Sequence, residues 1–263
     1  MREKEAKKRI VFCTYSSIYS SLVLKHLLED DRVEVVAVVN STRVINPQYG
    51  FFRGAVAQIK TSGWRYASYL FMVTDLFSTI MPSKTIQGLA KQYDIPVLNT
   101  TDINSSKSLA FIQSYQADFL LAAHFNQLIK KPLLDMNCLN IHPSLLPDFK
   151  GVDPAFYALL KNQPSGVTLH KMAETFDTGT IFLQQNCAFT PTESVFTANC
   201  KLFDAGAKLA LHYLHNSSPI KPIQNKTGHY DSWPSRAQIS QFRALGKRLI
   251  KLSELRSYLF GKL

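Results

Sequence analysis

The chain has 263 residues, 46% of them hydrophobic and 19% charged, a balance that excludes a disordered chain and allows a substantial buried core. Its formal net charge is +11: residues 1–9 carry +3, residues 221–263 carry +7, and the remainder is nearly neutral at +1. Four dispersed cysteines form no CxxC pair and no His/Cys cluster with metal spacing, which argues against a disulfide scaffold and a metal site and predicts a cytoplasmic protein.

The first half of the chain alternates between strand-like and helix-like segments. Apolar runs of strand length predict strands at residues 9–13, 33–39, 95–98 and 118–123. Residues 17–29 and 105–115 have helical spacing of apolar residues behind serine or asparagine caps. Such alternation predicts a parallel sheet with right-handed crossovers.

Residues 45–83 do not fit this alternation, because they are unusually rich in aromatic and large apolar side chains. Residues 64–81 predict one mostly apolar helix whose only charges are Arg65 and Asp75. Three interpretations stay open for this insertion: helices buried on the sheet or in a dimer contact, a lid over a substrate cleft, and a helix lying at a membrane surface.

The second half predicts further strands at residues 138–142, 166–172 and 180–188, and helices at residues 154–161 and 194–213. Residues 219–228 read as a linker or an extended segment. Residues 235–259 then predict one basic helix, with an apolar face formed by Ile239, Phe242, Leu245, Leu249 and Leu252.

The predicted fold is therefore α/β and Rossmann-like: a mostly parallel twisted sheet with helices on both faces, plus a short basic helical extension at the C-terminus. We expect a catalytic domain over residues 1–215 that includes the insertion, followed by a linker and basic helix over residues 216–263. No apolar stretch reaches the roughly 20 residues of a membrane-spanning helix, and the N-terminus does not resemble a secretory signal.

The turn after the first strand, residues 14–20, contains no glycine. A dinucleotide-binding loop needs glycines so that backbone N–H groups can approach the pyrophosphate. This absence argues against a dehydrogenase, and the lack of a P-loop pattern argues against a nucleoside triphosphatase.

Residues 139–154 carry the most informative pattern, Leu-Asn-Ile-His-Pro-Ser-Leu-Leu-Pro-Asp-Phe-Lys-Gly-Val-Asp-Pro. Asn140 and His142 are two residues apart on a predicted strand, so their side chains point the same way. Pro143 ends that strand, which places both groups at the edge where open α/β sheets bind ligands. An amide N–H and an imidazole aimed together can stabilise a developing oxyanion.

A second block, residues 165–182, contains Asp177 in a loop between two strands, followed by Gly179. A carboxylate in this loop can orient His142 and favour its charged form. His170, on the strand before the loop, is a candidate accessory residue for the same cleft.

Together these blocks resemble the folate-dependent formyltransferase family, which includes the phosphoribosylglycinamide, methionyl-tRNA and nucleotide-sugar N-formyltransferases. The Asn-x-His-Pro-Ser-Leu-Leu-Pro motif of that family matches residues 140–147, and its Asp-x-Gly loop matches residues 177–179. The similarity is clear over residues 118–190 and looser over residues 9–215.

The resemblance implies transfer of a formyl group from 10-formyltetrahydrofolate to an amine, with no metal required. Asn140, His142 and Asp177 are the implied catalytic residues. The implied donor-binding residues lie in two loops, one after a strand and one around the aspartate: Phe125, Asn126, Gln127, Ile129, Glu174 and Asp177.

The acceptor is less well defined by the sequence. The glycine-free first turn departs from the glycinamide-ribotide enzymes, and the short region after residue 215 departs from the C-terminal domain of the methionyl-tRNA enzymes. We expect an amino sugar or another small amine. A methionyl-tRNA formyltransferase-like enzyme, favoured by the basic tail, stays open, as does an inactive folate-binding module. The oligomeric state is not determined.

Overall fold

The computed structural model describes residues 6–43, 51–190, 192–216, 221–224 and 228–260, leaving out the side chains of residues 51, 52 and 260. The start of the predicted insertion (residues 45–50) and half of the predicted linker (residues 219–220 and 225–227) lie outside the described residues. Within these ranges the strands are β1 (Lys8–Tyr15), β2 (Val33–Ser41), β3 (Val97–Thr100), β4 (Phe119–Ala123), β5 (Cys138–His142), β6 (Lys150–Gly151), β7 (Ser165–Lys171), β8 (Ile181–Cys187) and β9 (Tyr230–Asp231).

The helices of the same ranges are α1 (Ile18–Glu29), α2 (Phe51–Ser62), α3 (Trp64–Phe71), α4 (Phe77–Ile80), α5 (Ile86–Gln92), α6 (Ser106–Ser114), α7 (Pro154–Lys161), α8 (Val195–His215), α9 (Arg236–Ala244) and α10 (Leu252–Phe260). The side chains of Ser17, Ser105 and Ser194 accept hydrogen bonds from backbone N–H groups in the first turns of α1, α6 and α8, respectively. These caps satisfy donors that have no partner inside the helix, which explains why each helix begins there.

Seven of the described strands form one sheet in the order β3-β2-β1-β4-β5-β7-β8. The pairs from β3 to β5 are parallel, whereas β7 pairs antiparallel with both β5 and β8. The predicted mostly parallel, Rossmann-like sheet is confirmed. Because the chain leaves β1 toward β2 on one side and β4 lies on the other, a crevice opens at the carboxyl ends of these strands.

Both faces of the sheet are covered. Ile10 and Phe12 of β1 belong to the core on one face, while Val11 and Cys13 belong to the core on the other. This alternation is the period of a strand buried on both sides. Helix α1 lies on the first face beside α8, to which His26 joins it through a 2.7 Å contact with Asp204. Helix α6 covers the second face.

The helix predicted for residues 64–81 is confirmed as a helical run, in which a π-helical segment, Met72–Leu76, joins α3 to α4. Its inner face buries Tyr66, Tyr69, Val73 and Phe77, spaced three or four residues apart. Trp64 on the outer face is 61% exposed. Among the helices of the described ranges, none is both long enough and apolar enough to cross a membrane.

The single helix predicted for residues 235–259 is wrong. Helix α9 ends before Gly246, whose φ of +74° is a left-handed conformation that suits glycine, and α10 begins a new helix. The break changes the apolar face, so Leu245 and Leu252 are exposed although Phe242 is fully buried.

The region after residue 228 lies against the predicted catalytic domain. Strand β9 pairs in parallel with β6, and Phe242 of α9 packs on Phe156 of α7 with ring centroids 4.7 Å apart. The division of the chain at residues 215 and 216 stays a prediction.

Candidate active site

A cleft of about 490 Å³ opens at the carboxyl ends of the parallel strands. Tyr15 at the end of β1, His124 just after β4 and His142 at the end of β5 all line it. The lining is mostly apolar with a few converging polar groups, which is the usual composition of a small-molecule site. The cleft therefore lies where the sheet topology predicts a ligand.

Asn140 and His170 face each other across the antiparallel pair of β5 and β7. The Nδ2 group of Asn140 lies 3.0 Å from Nε2 of His170, while Nδ1 of His170 lies 2.8 Å from the carbonyl oxygen of Lys171. A carbonyl only accepts, so Nδ1 carries the proton and Nε2 accepts from the Asn140 amide. His170 thereby orients Asn140 and leaves its second amide N–H available to the cleft.

This neutral form of His170 agrees with its surroundings. Burial, followed by the charge of nearby His142, lowers the pKa of His170 to about 4, against an opposing effect of Asp177. His170 therefore stays uncharged at neutral pH, and its Nε2 positions Asn140 by accepting a hydrogen bond from the Asn140 amide. The sequence alone did not distinguish this role from that of a structural strand histidine.

His142 is almost completely buried, and both of its ring nitrogens face acceptors. Nε2 donates to the carbonyl oxygen of Phe149 at 2.8 Å, and Nδ1 lies 3.3 Å from Oδ1 of Asp177. Only a doubly protonated imidazolium donates from both nitrogens. The site thus provides a carboxylate to balance a positive charge on His142.

The backbone of β6 holds Asp177. Oδ2 of Asp177 accepts from the N–H of Gly151 at 2.8 Å, and Oδ1 lies between His142 and His170, 3.8 Å from Nε2 of the latter. Gly151 has a φ of +101°, and a Cβ there would lie 2.1 Å from the carbonyl oxygen of Asp231. Glycine is required at this position because the β6–β9 pair approaches too closely for any side chain.

The predicted donor-binding residues Phe125, Asn126 and Gln127 also line the cleft. The amide of Asn126 accepts from Ser41 and donates to the carbonyl oxygen of Arg43, and the amide of Gln127 accepts from the backbone N–H of Ile103. Both side chains are thus committed to holding the loop. Any ligand beside them would meet mainly the loop backbone.

The remaining two predicted donor-binding residues do not line the cleft. Ile129 is fully buried in the core on the second sheet face, because its side chain points back under the loop. Glu174 lies in the Asp177 loop but its side chain is exposed, while its neighbours Ala173 and Thr175 line the cleft. Sequence proximity to the motif placed them near the site but did not give their direction.

Sequence reasoning missed two titratable residues of the cleft. His124 directly follows β4, so its position at the carboxyl end of a predicted strand was a usable signal; burial lowers its pKa. Asp153 precedes Pro154, where an aspartate usually caps the helix. Here the Asp153 side chain makes no capping hydrogen bond and bonds to Tyr66 and Asn199.

In the described ranges, no group of three or more His, Cys, Asp or Glu side chains could hold a metal ion. The residues that line the cleft supply hydrogen-bond donors, imidazoles and carboxylates. These groups can stabilise negative charge on an oxygen and move a proton.

Comparison with known proteins identifies the class. A family model described as formyl transferase matches residues 72–214, more than half of the chain, and the chain belongs to that family. Methionyl-tRNA formyltransferase of a Geobacillus species (strain WCH70) is 38% identical over 124 residues, 46% of this chain and 39% of that protein. The Bacillus velezensis methionyl-tRNA formyltransferase is 33% identical over 151 residues, 55% of this chain and 48% of that protein. The matched stretches thus span at most about half of these relatives.

Solved structures share the fold. A sugar N-formyltransferase from Shewanella sp FDAARGOS_354 has a TM-score of 0.56 at 17% identity, covering 93% of this chain and 81% of that one. Glycinamide ribonucleotide transformylase 1 from Symbiobacterium toebii has a TM-score of 0.55 at 18% identity, covering 81% and 89%. An N-formyltransferase from Helicobacter canadensis, in complex with folinic acid and dTDP-3-aminofucose, has a TM-score of 0.54 at 16% identity, covering 86% and 71%.

Proposed function

We propose that this protein transfers a formyl group from 10-formyltetrahydrofolate to a primary amine, on an amino sugar or a similar small acceptor. The observation that carries the proposal is the convergence of Asn140, His142 and Asp177 at one end of a cleft, in a chain of the formyl transferase family. The free buried cysteines support a cytoplasmic location.

The cleft offers a place for the donor. Phe125 and Leu128 on one side, and Met172 and Phe176 on the other, form apolar walls that lead to His142. A flat heterocycle between these walls would meet the loop of residues 125–128 mainly through its backbone, because the side-chain amides of Asn126 and Gln127 are already bonded. When bound, 10-formyltetrahydrofolate supplies the electrophilic formyl carbon.

Asn140 and His142 stabilise the charge that develops during transfer. As the amine nitrogen bonds to the formyl carbon, the carbonyl electron pair moves onto the formyl oxygen. The second amide N–H of Asn140 donates to that oxygen. The Nδ1–H of His142, which lies 3.3 Å from Oδ1 of Asp177, is shared between that carboxylate and the oxygen. Removal of one such donor typically costs about 100- to 1,000-fold in kcat.

Asp177, beside His142, takes part in the proton transfer. The attacking nitrogen must lose a proton, and the Asp177 carboxylate receives it directly or through a water molecule. The bond between the formyl carbon and the donor nitrogen then breaks with its electron pair on that nitrogen, which takes up the proton that Asp177 received. The products are a formamide and tetrahydrofolate, and the site regains its initial protonation state.

A second acceptor has its own support. The curated relatives that match at 38% and 33% identity are methionyl-tRNA formyltransferases, so the amine of methionyl-tRNA is the alternative substrate. The two acceptors differ in what surrounds the amine: hydroxyl groups in an amino sugar, and a thioether side chain in methionine.

The test begins with the donor. Calorimetry with a non-transferable analogue of 10-formyltetrahydrofolate should show micromolar binding by the wild type, and His142→Ala should still bind. Exposed His212 provides a matched control, His212→Ala, at a surface position of α8. Transfer of radiolabelled formyl groups should then be measured with nucleotide-linked amino sugars and with methionyl-tRNA.

The outcomes separate the candidates. Transfer to amino sugars supports the proposal, and transfer to methionyl-tRNA alone identifies the second acceptor. Donor binding without transfer to any amine indicates the inactive folate-binding module. Absence of donor binding at millimolar analogue, both alone and with acceptor present, refutes formyl transfer from folate.

A further inference from the structure

A hydrogen-bonded network occupies the end of the cleft formed by helix α3. Tyr66 donates to Oδ2 of Asp153 at 2.8 Å, and the amide of Asn199 donates to Oδ1 at 3.1 Å. The same amide lies 3.3 Å from the hydroxyl of Tyr69, which lies 2.6 Å from that of Tyr19. All five residues line the cleft, although they come from three helices (α1, α3 and α8) and from the residue that precedes α7.

Asp153 brings a carboxylate into this network without a cation. Its partners in the described part of the chain are neutral groups, and no ion pair joins it to a Lys, Arg or His side chain there. Burial raises the pKa of Asp153, and the hydrogen bonds from Tyr66 and Asn199 oppose that shift. Each carboxylate oxygen accepts one of these bonds and retains capacity for another.

The charge of the surrounding cleft limits what can bind beside Asp153. Among the cleft-lining residues described, the carboxylates are Asp75, Asp153 and Asp177, and the only Lys or Arg side chain is Arg43. A phosphate or carboxylate placed at Asp153 would meet like charge. A thioether has no hydrogen to donate, so the free acceptor sites of the Asp153 carboxylate would stay unpaired in a desolvated site, which costs binding energy.

The position of Asp153 relates it to the reacting groups. Gly151, which holds Asp177 through its N–H, lies only two residues earlier, so the Cα atoms of residues 151 and 153 are at most about 7.6 Å apart. A sugar ring can therefore present its amine near His142 while its hydroxyls reach Asp153.

We propose that Asp153 is an acceptor-binding residue that accepts hydrogen bonds from the hydroxyl groups of an amino sugar, and that Tyr66 of the insertion orients it. This inference rests on the proposed formyl transfer and deepens it. It assigns the α3 end of the cleft to a neutral, hydroxyl-bearing ring and gives residues 64–81 a role in substrate selection.

The experiment compares acceptors that differ by one hydroxyl. Steady-state kinetics should be measured for a nucleotide-linked amino sugar and for its single-deoxy analogues, with the wild type, Asp153→Asn and Tyr66→Phe. Asp148→Asn makes the same chemical change at an exposed position of the neighbouring turn, outside the cleft, and is the matched control.

We expect one deoxy analogue to lose at least about 10-fold in kcat/KM with the wild type and with Asp148→Asn. In Asp153→Asn the two acceptors should become equal within about 3-fold, with the loss residing in acceptor KM and with donor-analogue binding unchanged. Tyr66→Phe should show a smaller effect in the same direction, and it serves as the test if Asp153→Asn does not fold.

If Asp153→Asn discriminates between the acceptor and its deoxy analogue as well as the wild type does, this inference is overturned while formyl transfer stands. Tyr66→Phe is compared with the wild type in the same way if Asp153→Asn does not fold. A wild type that formylates only methionyl-tRNA would likewise overturn it. A wild type that formylates no amine would instead refute the proposed function, and the inference with it.

Discussion

Two polar parts of the cleft are built in different ways: a sheet wall, which contains His142 and Asp177, and a helical wall, which contains Asp153. On the sheet wall, His142 and Asp177 are held by backbone groups, namely the carbonyl of Phe149 and the N–H of Gly151. On the helical wall, Asp153 is held by the side chains of Tyr66 and Asn199.

This difference separates the residues that carry out formyl transfer from the residues that select the acceptor. Backbone partners are present whatever the neighbouring side chains are, so His142 and Asp177 keep these two contacts when nearby side chains change. A network of side chains is altered by a single substitution. We therefore expect substitutions on the sheet wall to lower the rate of transfer with any acceptor, and substitutions on the helical wall to change which acceptor is used.

The largest effect should come from the sheet wall. His142→Ala removes a donor to the developing oxyanion and the partner of Asp177, and kcat should fall by about 100-fold or more. Donor-analogue binding should persist in calorimetry. His212→Ala should retain full activity. Near-normal turnover by His142→Ala would remove this residue from the mechanism.

Asp177→Asn should have the next largest effect. The substitution keeps the shape of the side chain but removes the negative charge 3.3 Å from Nδ1 of His142 and the proton acceptor. We expect kcat to fall by about 100-fold, with every acceptor affected alike, as measured by radiolabelled transfer. A loss confined to one acceptor would contradict the separation of the two walls.

A pair of glycine substitutions tests whether the backbone really positions Asp177. Gly151 and Gly246 both have positive φ, but an added Cβ meets the carbonyl of Asp231 only at residue 151 and meets nothing within 4 Å at residue 246. Each change to alanine should reduce the free energy of unfolding by about 1–3 kcal/mol in urea titrations, and Gly151→Ala should reduce it more. Only Gly151→Ala should also lower kcat, and equal activity of the two variants would contradict this assignment.

The smallest effect concerns His170 and pH. Its folded-state pKa of about 4 lies below the ordinary value of 6.5, so between these pH values the unfolded chain holds a proton that the folded chain does not. Stability should therefore rise with pH over this window, with His170 contributing about 2 kcal/mol between pH 5 and pH 7.5.

Urea unfolding at both pH values tests this sign. His170→Gln should lose less stability on acidification than the wild type, whereas His212→Gln, at an exposed position, should match the wild type. An unchanged pH dependence in His170→Gln would show that the buried imidazole is not the group responsible.

Several elements were predictable because their signals are local. The limits of β5 and α7 match the predicted residues, since Pro143 ends the one and Pro154 begins the other. The break at Gly246 was missed because the apolar spacing of residues 235–259 continues across it, and only the backbone conformation reveals the left-handed turn.

The candidate site divides in the same way. Asn140 and His142 share a strand face, which two-residue spacing determines. Asp177 is 35 positions from His142 in the sequence, and its placement was expected from the resemblance to a family. The directions of Ile129 and Glu174 could not be predicted, because the path of a loop depends on what it packs against.

By itself, the sequence determined the α/β architecture, the family and the paired amide and imidazole at the end of β5, because periodicity and motif spacing are properties of contiguous residues. Only the tertiary structure placed Asp153 within reach of Tyr66 and Asn199, 87 and 46 positions away along the chain. Hydrogen bonds between side chains so far apart form only after the helices pack on the sheet, and no local pattern encodes them.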